Sequence, residues 1–454
     1  MEPDTIVALS TPPGRGAIAV VRLSGAGARR ILSQILGEAE GALPVRRPFL
    51  ARITDPMGGG TLDRGLVTWF EGPSSYTGED LAELSVHGGP LVSMLVVEAC
   101  RKAGAREAEP GEFTRRAYLN GKLDLVQAEA VADLIEAGSM VSHRAAIHQV
   151  EGGLSQRVAE LRQGLVELEA LIMHHLDFPD EDEPPVTLRT VMARAGEVVE
   201  RLDLLLETAP EGELLREGAV AVLAGRPNAG KSSLYNALLG EERAIVTAEA
   251  GTTRDALESR VSLGGFPFRL VDTAGLREDA GGIERMGIEV AQRYLEGADV
   301  ILLCLPVDEA WSGAEAAFLQ RFREGPPVVV VRTCADRDGR VAAPDVVADE
   351  GVEVSVRTGA GLAALRERLR DLVFGGLVEI GADAPLITRR RQRGFLHDAR
   401  GEVAAFAEAL DRGVPTEAAC AHLRSAETAL EEVLGVISPE EILDAVFSRF
   451  CIGK

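Results

Sequence analysis

Eight consecutive residues, Gly225-Arg226-Pro227-Asn228-Ala229-Gly230-Lys231-Ser232, have the order needed to hold a chain of phosphates. Glycines let backbone N–H groups curl round an anion at a helix N-terminus, Lys231 reaches the outer phosphates, and the Ser232 hydroxyl offers a magnesium ligand. Asn228, Ala229, Gly230 and Ser233 complete this nucleotide cradle. Downstream, Asp272-Thr273-Ala274-Gly275 places a carboxylate where it supports magnesium through water, and Gly275 where it moves with a γ-phosphate. Between the two lies Gly251-Thr252-Thr253-Arg254-Asp255, whose Thr253 is suited to close over the metal as a switch. The ordered triplet points to GTP hydrolysis rather than to a generic ATPase.

The base-reading elements are less orthodox. Thr333-Cys334-Ala335-Asp336 stands where such sites usually show Asn-Lys-x-Asp, so Asp336 survives and the lysine that packs over the base does not. A carboxylate at Asp336 accepts both ring N–H groups of guanine, which adenine cannot offer. Ser355-Val356-Arg357 replaces Ser-Ala-Lys, a milder change because the central residue acts through its backbone N–H. The expectation is guanine preference with weakened affinity. Leu276 occupies the position of the usual water-orienting glutamine, so that function must come from elsewhere. Asn228 offers a side-chain carbonyl beside the phosphates, which either steadies its own turn or holds a monovalent cation, potassium being the natural candidate.

These motifs need elements to hold them. Ala219–Ala224 and Phe268–Val271 read as buried strands, and between about 215 and 373 apolar strands alternate with amphipathic helices, which predicts a doubly wound sheet. Residues 1 to about 120 mix short strands with helical stretches, a second α/β pattern. From Leu125, long helices follow; Leu154, Val158, Leu161, Leu165, Leu168 and Ile172 lay one apolar stripe along a helix. The acidic, proline-bounded run 177–185 reads as a solvated loop, and helical periodicity resumes after the α/β unit. The last helix is expected to open with a Ser438-Pro439-Glu440-Glu441 capping box, with proline at its first position. The predicted fold is therefore an N-terminal α/β domain (1–120), a discontinuous helical domain (121–216 and 378–454) and an inserted P-loop G domain (217–377).

Forty-eight basic against seventy-one acidic residues leave a formal charge of -23, so the chain as a whole repels a phosphate backbone and any nucleic-acid contact must be local or shared. An aromatic share of 4% argues against a stacking surface for single strands. Five scattered cysteines without C-x-x-C spacing fit reduced thiols. Lacking a basic n-region or a membrane-length apolar run, the chain reads as cytoplasmic and unprocessed, with no membrane contact.

Taken together, Gly225 to Ser233, Gly251 to Asp255 and Asp272 to Arg277 resemble the MnmE (TrmE) family of potassium-activated GTPases. Further blocks extend the match over essentially the whole chain: Thr11 to Gly16, Tyr76 to Asp80, His87 to Pro90, Gly111 to Thr114, and the terminal Phe450-Cys451-Ile452-Gly453-Lys454. The resemblance implies a potassium site built from Asn228 and Thr252 with backbone carbonyls near Thr247 and Glu249, a water-orienting Glu284, and magnesium held by Ser232 and Thr253. It implies an N-terminal domain with a tetrahydrofolate-binding-like fold that forms a homodimer, with Arg22, Glu79, Lys122 and Lys454 against a 5-formyl- or methylene-tetrahydrofolate. It makes Cys451 a functional thiol. It further implies a heterotetrameric complex with the FAD-dependent partner MnmG, adding an aminomethyl or carboxymethylaminomethyl group to C5 of the wobble uridine of certain tRNAs.

Rival readings stand beside it. Cys451, fourth from the end, superficially fits a prenylation signal, but Lys454 is a poor final residue and nothing polybasic lies immediately upstream. A ribosome-assembly GTPase of the Era or Der type shares the P-loop, yet neither a KH-like domain nor a tandem G domain is visible. A folate enzyme with a vestigial G domain is opposed by intact Lys231, Ser232, Thr253 and Asp272. Arg389-Arg390-Arg391-Gln392-Arg393 either touches tRNA backbone or is a solvated helix face.

Overall fold

Alternation of apolar and polar residues builds the first sheet. Val67 and Trp69 of one strand, Val21 and Leu23 of another, and Leu84 of a third are all fully or nearly fully buried, while their sequence neighbours face the other side. A computed structural model describes the chain except residues 1–3, 38–42, 178–186, 242–257, 273–283, 343–350, 381–383 and 437–438, and gives the backbone alone at 174–177, 241, 284–289 and 378–380. The chain divides into two compact units, one of residues 1–132 with 431–454 and the other of residues 133–430.

In the first unit, β1 (Ile6–Leu9), β2 (Ile18–Ser24), β3 (Phe49–Thr54), β4 (Thr61–Phe70), β5 (Leu81–His87) and β6 (Arg106–Glu107) form a sheet of order β3-β4-β5-β2-β1-β6. All its pairings are antiparallel except β1 with β6. Helices Ala28–Leu36 and Pro90–Lys102 cover one face through Ile31, Leu32, Ile35 and Val96. The terminal segment belongs to this unit: Phe447 lies against Tyr118 and Phe450, with ring centroids 6.2 and 5.7 Å apart. Gly111 and Gly453 permit that approach, since a Cβ on Gly111 would stand 2.6 Å from the Phe447 carbonyl and one on Gly453 2.5 Å from the Leu9 carbonyl. Both adopt positive φ. The last helix runs Glu440–Phe447 with Pro439 as its N-cap, so it starts one residue later than expected; Ser438 lies outside the described residues.

In the second unit, helices Gly153–Asp177, Leu188–Leu206 and Arg390–Asp411 pack side by side, and the six residues of the expected stripe on the first are all at most 1% exposed. Strands β7 (Ala219–Gly225), β8 (Glu258–Leu263), β9 (Phe266–Asp272), β10 (Val300–Pro306), β11 (Val328–Thr333) and β12 (Val352–Glu353) form the second sheet, of order β12-β11-β10-β7-β9-β8. It is parallel save for the β8–β9 hairpin. Every residue of β10 is buried, as a strand covered on both faces requires. Register then does the positioning: Leu223 pairs with Asp272, Cys304 with Gly225 and Pro306 with Thr333, which brings the carboxyl ends of four strands to one edge.

Candidate functional site

That edge opens on a cleft of 1010 Å³ lined by the loop after β7, the helix Lys231–Glu241 and the loops after β11 and β12. Gly225 needs its φ of 138° and its missing side chain, because a Cβ there would strike the Cys304 carbonyl. Asn228 takes the left-handed region at φ 63°, which short polar side chains tolerate. Lys231 Nζ donates to the carbonyls of Gly225 (3.0 Å) and Arg226 (2.7 Å), folded over the mouth of its own loop. Ser232 Oγ donates to Asp272 Oδ2 at 2.9 Å. A hydroxyl and a carboxylate oxygen side by side fit a hard divalent cation. Among the described residues no group of three His, Cys, Asp or Glu could hold a metal alone, so the remaining ligands would come from substrate phosphate and water.

The phosphate loop is braced from two sides. The buried Thr333 hydroxyl donates to the Ala229 carbonyl at 2.8 Å, fastening it to the base-reading loop. Arg226 grips Glu315 through Nε and Nη2, both at 2.5 Å, with Glu309 at 3.4 Å. Glu315 also accepts the Ser312 N–H and hydroxyl in a capping box at the start of helix Gly313–Arg321. Its carboxyl is drawn down to about 2, chiefly by Arg226 against the opposing effect of burial. At the base end, Asp336 Oδ1 accepts from Ser355 Oγ at 2.6 Å and Oδ2 meets Arg357 Nε at 2.8 Å. The Ser355 hydroxyl first, and then the Arg357 charge, hold Asp336 below the usual carboxylate range. Thr247, Glu249, Thr252, Thr253 and Gly275 lie outside the described residues; Glu284 opens helix Glu284–Glu296, described there by backbone alone.

A second polar centre sits in the first unit. Arg22 forks onto Glu83 (2.7 and 3.1 Å), reaches the Gly453 carbonyl (3.5 Å), and lies over the rings of Tyr76 and Phe113. Two residues along the same face of β2, Ser24 donates to Glu79 at 2.9 Å. Glu79 also meets Arg116 at 3.1 Å, and Arg116 is shared with Asp4 and Glu112. Lys122 Nζ donates to the Pro73 carbonyl on the loop that carries Glu79. Phe113 N–H donates to the Lys454 carbonyl and Gly111 N–H to that of Cys451, which leaves Cys451 exposed and Lys454 half-buried. Burial first, then the neighbouring Arg22, hold the Lys454 ammonium below the ordinary lysine range. An anionic edge, two cations and a thiol thus share one surface, and such a donor set suits a pterin with a glutamyl tail.

Arg116, Glu83, Ser24 and the Arg226–Glu315 pair were not singled out from sequence. Apart from Arg116 with Glu112, four residues away, these contacts span 37 residues of chain or more, which no local signal marks.

Comparison with known proteins bears on both centres. The family described as GTP-binding protein TrmE N-terminus matches residues 5–122, and the MnmE helical domain matches residues 125–451. The tRNA modification GTPase MnmE of Akkermansia muciniphila is 43% identical over 452 residues, covering 99% of both chains. That of Laribacter hongkongensis is 42% identical over 457 residues, again with 99% of both, and that of Lactobacillus acidophilus 35% over 455 residues, with 99% and 98%. Among solved structures, the G domain of the T. maritima FeoB iron transporter is 23% identical with a TM-score of 0.26, covering 34% of this chain and 98% of its own. At the identity it shares with these MnmE relatives over nearly its full length, the chain belongs to the MnmE family of tRNA modification GTPases.

Proposed function

We propose that this tRNA modification GTPase is stimulated by potassium and works as a homodimer with the FAD-dependent protein MnmG. Together they add an aminomethyl or carboxymethylaminomethyl group to C5 of the wobble uridine, with methylene-tetrahydrofolate supplying the one-carbon unit. The observation that carries this reading is the pairing, in one chain, of a phosphate cleft with Ser232 on Asp272 and a second centre that gathers Arg22, Glu79, Lys454 and Cys451.

In the cleft, Lys231 leaves the carbonyls of Gly225 and Arg226 for the outer phosphates, and the loop N–H groups take up their charge. Ser232 and the switch residue Thr253 would hold magnesium, with Asp272 supporting it through water. Potassium, when bound by Asn228, Thr252 and the carbonyls of Thr247 and Glu249, supplies the positive charge that an arginine finger gives elsewhere. Asn228 lines the cleft with its backbone in the left-handed region, in keeping with that role. Glu284 orients the attacking water, and Asp336 reads guanine.

In the other centre, Glu79 reads the donor edge of the pterin while Arg22 and Lys122 meet carboxylates. Cys451 and Lys454 stand beside the one-carbon unit. Leu50 and Leu66, which pair across β3 and β4 and are 57% and 48% exposed, are in keeping with dimerisation through the first unit.

One reconstitution tests the whole. The chain, MnmG, unmodified tRNA, GTP, methylene-tetrahydrofolate and glycine as the source of the amine nitrogen are combined in KCl or NaCl, and the wobble uridine is weighed by mass spectrometry while phosphate release is followed. Modification is expected in KCl, with GTP turnover at least about tenfold above that in NaCl. Equal turnover in both salts removes the potassium role, and full modification without the folate removes the one-carbon reading.

A further inference from the structure

The base end of the cleft holds an arrangement that its loop sequence does not suggest. Cys334 adopts φ 58° and gives that wall only a short side chain where a lysine stem would have covered a purine. Two cations line the same end, Arg337 and Arg357. Arg337 is engaged by Asp308 at 3.2 Å, outside the reading carboxylate. Arg357 instead places Nε 2.8 Å from Asp336 Oδ2, with its side chain 77% exposed.

The other oxygen of Asp336 is fixed: Ser355 donates to Oδ1 at 2.6 Å, and Ser355 is itself held by the Thr358 N–H at 3.2 Å. The carboxylate therefore stays oriented whether or not Arg357 remains on it. Arg357 also occupies the approach by which a base N–H would reach Oδ2. An exposed ion pair of this kind is weakly held, and water replaces it readily. A guanidinium, by contrast, is planar and weakly hydrated, and stacks on aromatic faces better than an ammonium does.

From this juxtaposition we infer that Arg357 is an affinity-determining residue of the nucleotide site. It closes on Asp336 when the cleft holds no base, and on guanine binding it swings onto the ring face, doing there what a lysine at position 334 would do. The inference rests on Asp336 being the base reader. Arg357 leaves discrimination of the ring edge to Asp336 and sets how long a correctly read base stays.

Dissociation constants and off-rates of fluorescent GDP and ADP analogues decide the matter for the full chain, Arg357→Ala, Arg357→Ala with Cys334→Lys, and Asp336→Ala. Arg357 is exposed, so its removal leaves the melting temperature unchanged. Arg357→Ala is expected to weaken GDP about tenfold, mostly through a faster off-rate, while guanine stays preferred over adenine. Adding Cys334→Lys restores most of that loss. GDP binding by Arg357→Ala as tight as wild type, or tighter, overturns the inference while leaving Asp336 as reader. Undiminished guanine preference in Asp336→Ala would overturn both.

Discussion

Glu315 braces the phosphate loop through Arg226. It is 6% exposed, carries both forks of Arg226 and caps its own helix, so removing its charge leaves a guanidinium partly desolvated beside the phosphate loop. Its folded pKa of about 2 lies below the ordinary 4.5, so the stability it contributes is fully present above about pH 4.5 and is lost as pH falls through 2. Glu315→Gln is expected to cost on the order of 2 kcal/mol at pH 7 in urea unfolding, and the gap to wild type should narrow as pH falls below about 4.5. A gap that stays constant down to pH 3 would mean that Arg226 does not depend on the charge. The loop itself was legible in sequence, because the glycines, lysine and serine that hold phosphate fall within one run of eight residues. Its brace was not, since Arg226 and Glu315 are 89 residues apart and either alone reads as a surface charge. Thr333 falls between the two cases: it appears as a departure from Asn-Lys-x-Asp, yet its hydroxyl ties the two loops together.

Among the elements, those with a strong period were plain from composition. The stripe from Leu154 to Ile172 is buried throughout, and the β7 and β9 runs differ from expectation only at their ends. Long-range pairing was not plain: β6 is two residues long and joins the first sheet in parallel, a contact that propensity cannot announce. Nor does sequence reveal the break in helix Leu362–Ile380 at Phe374, with φ -120°. That break lets the fully buried Phe374 ring stack on Phe266 (centroids 4.8 Å) and meet Phe268 edge-on (5.5 Å), clamping the β8–β9 hairpin four residues from Asp272. Phe374→Ala is expected to lower unfolding stability by about 3–5 kcal/mol. Below the melting transition, GTP turnover should stay within about twofold of wild type, because pairing of Leu223 with Asp272 still sets the catalytic edge. A tenfold loss of turnover in a folded variant would show that the hairpin clamp, rather than β7, positions Asp272.

For the whole molecule, charge decides how tRNA is met. A net charge of -23 opposes a polyanion, so affinity must come from a few local contacts or from a partner. The densest basic run, Arg389 to Arg393, reads equally as a tRNA contact or a solvated helix face, and several of its charges are engaged within its own unit. Arg389 pairs with Asp133 at 2.7 Å, Arg393 and Arg390 approach Glu213 at 3.3 and 3.9 Å, and Arg391 lies over Phe395. Bringing a phosphate to Arg390 or Arg393 would set it against Glu213, so these side chains add little to tRNA binding. Replacing both by Gln should therefore change tRNA affinity by less than about threefold, and should lower the slope of log affinity against log salt by less than about one. Fluorescence anisotropy between about 50 and 200 mM KCl measures both quantities. If both arginines faced phosphate, the slope would fall by nearly two, roughly 0.9 for each neutralised charge, and the cluster would have to be read as a tRNA contact after all.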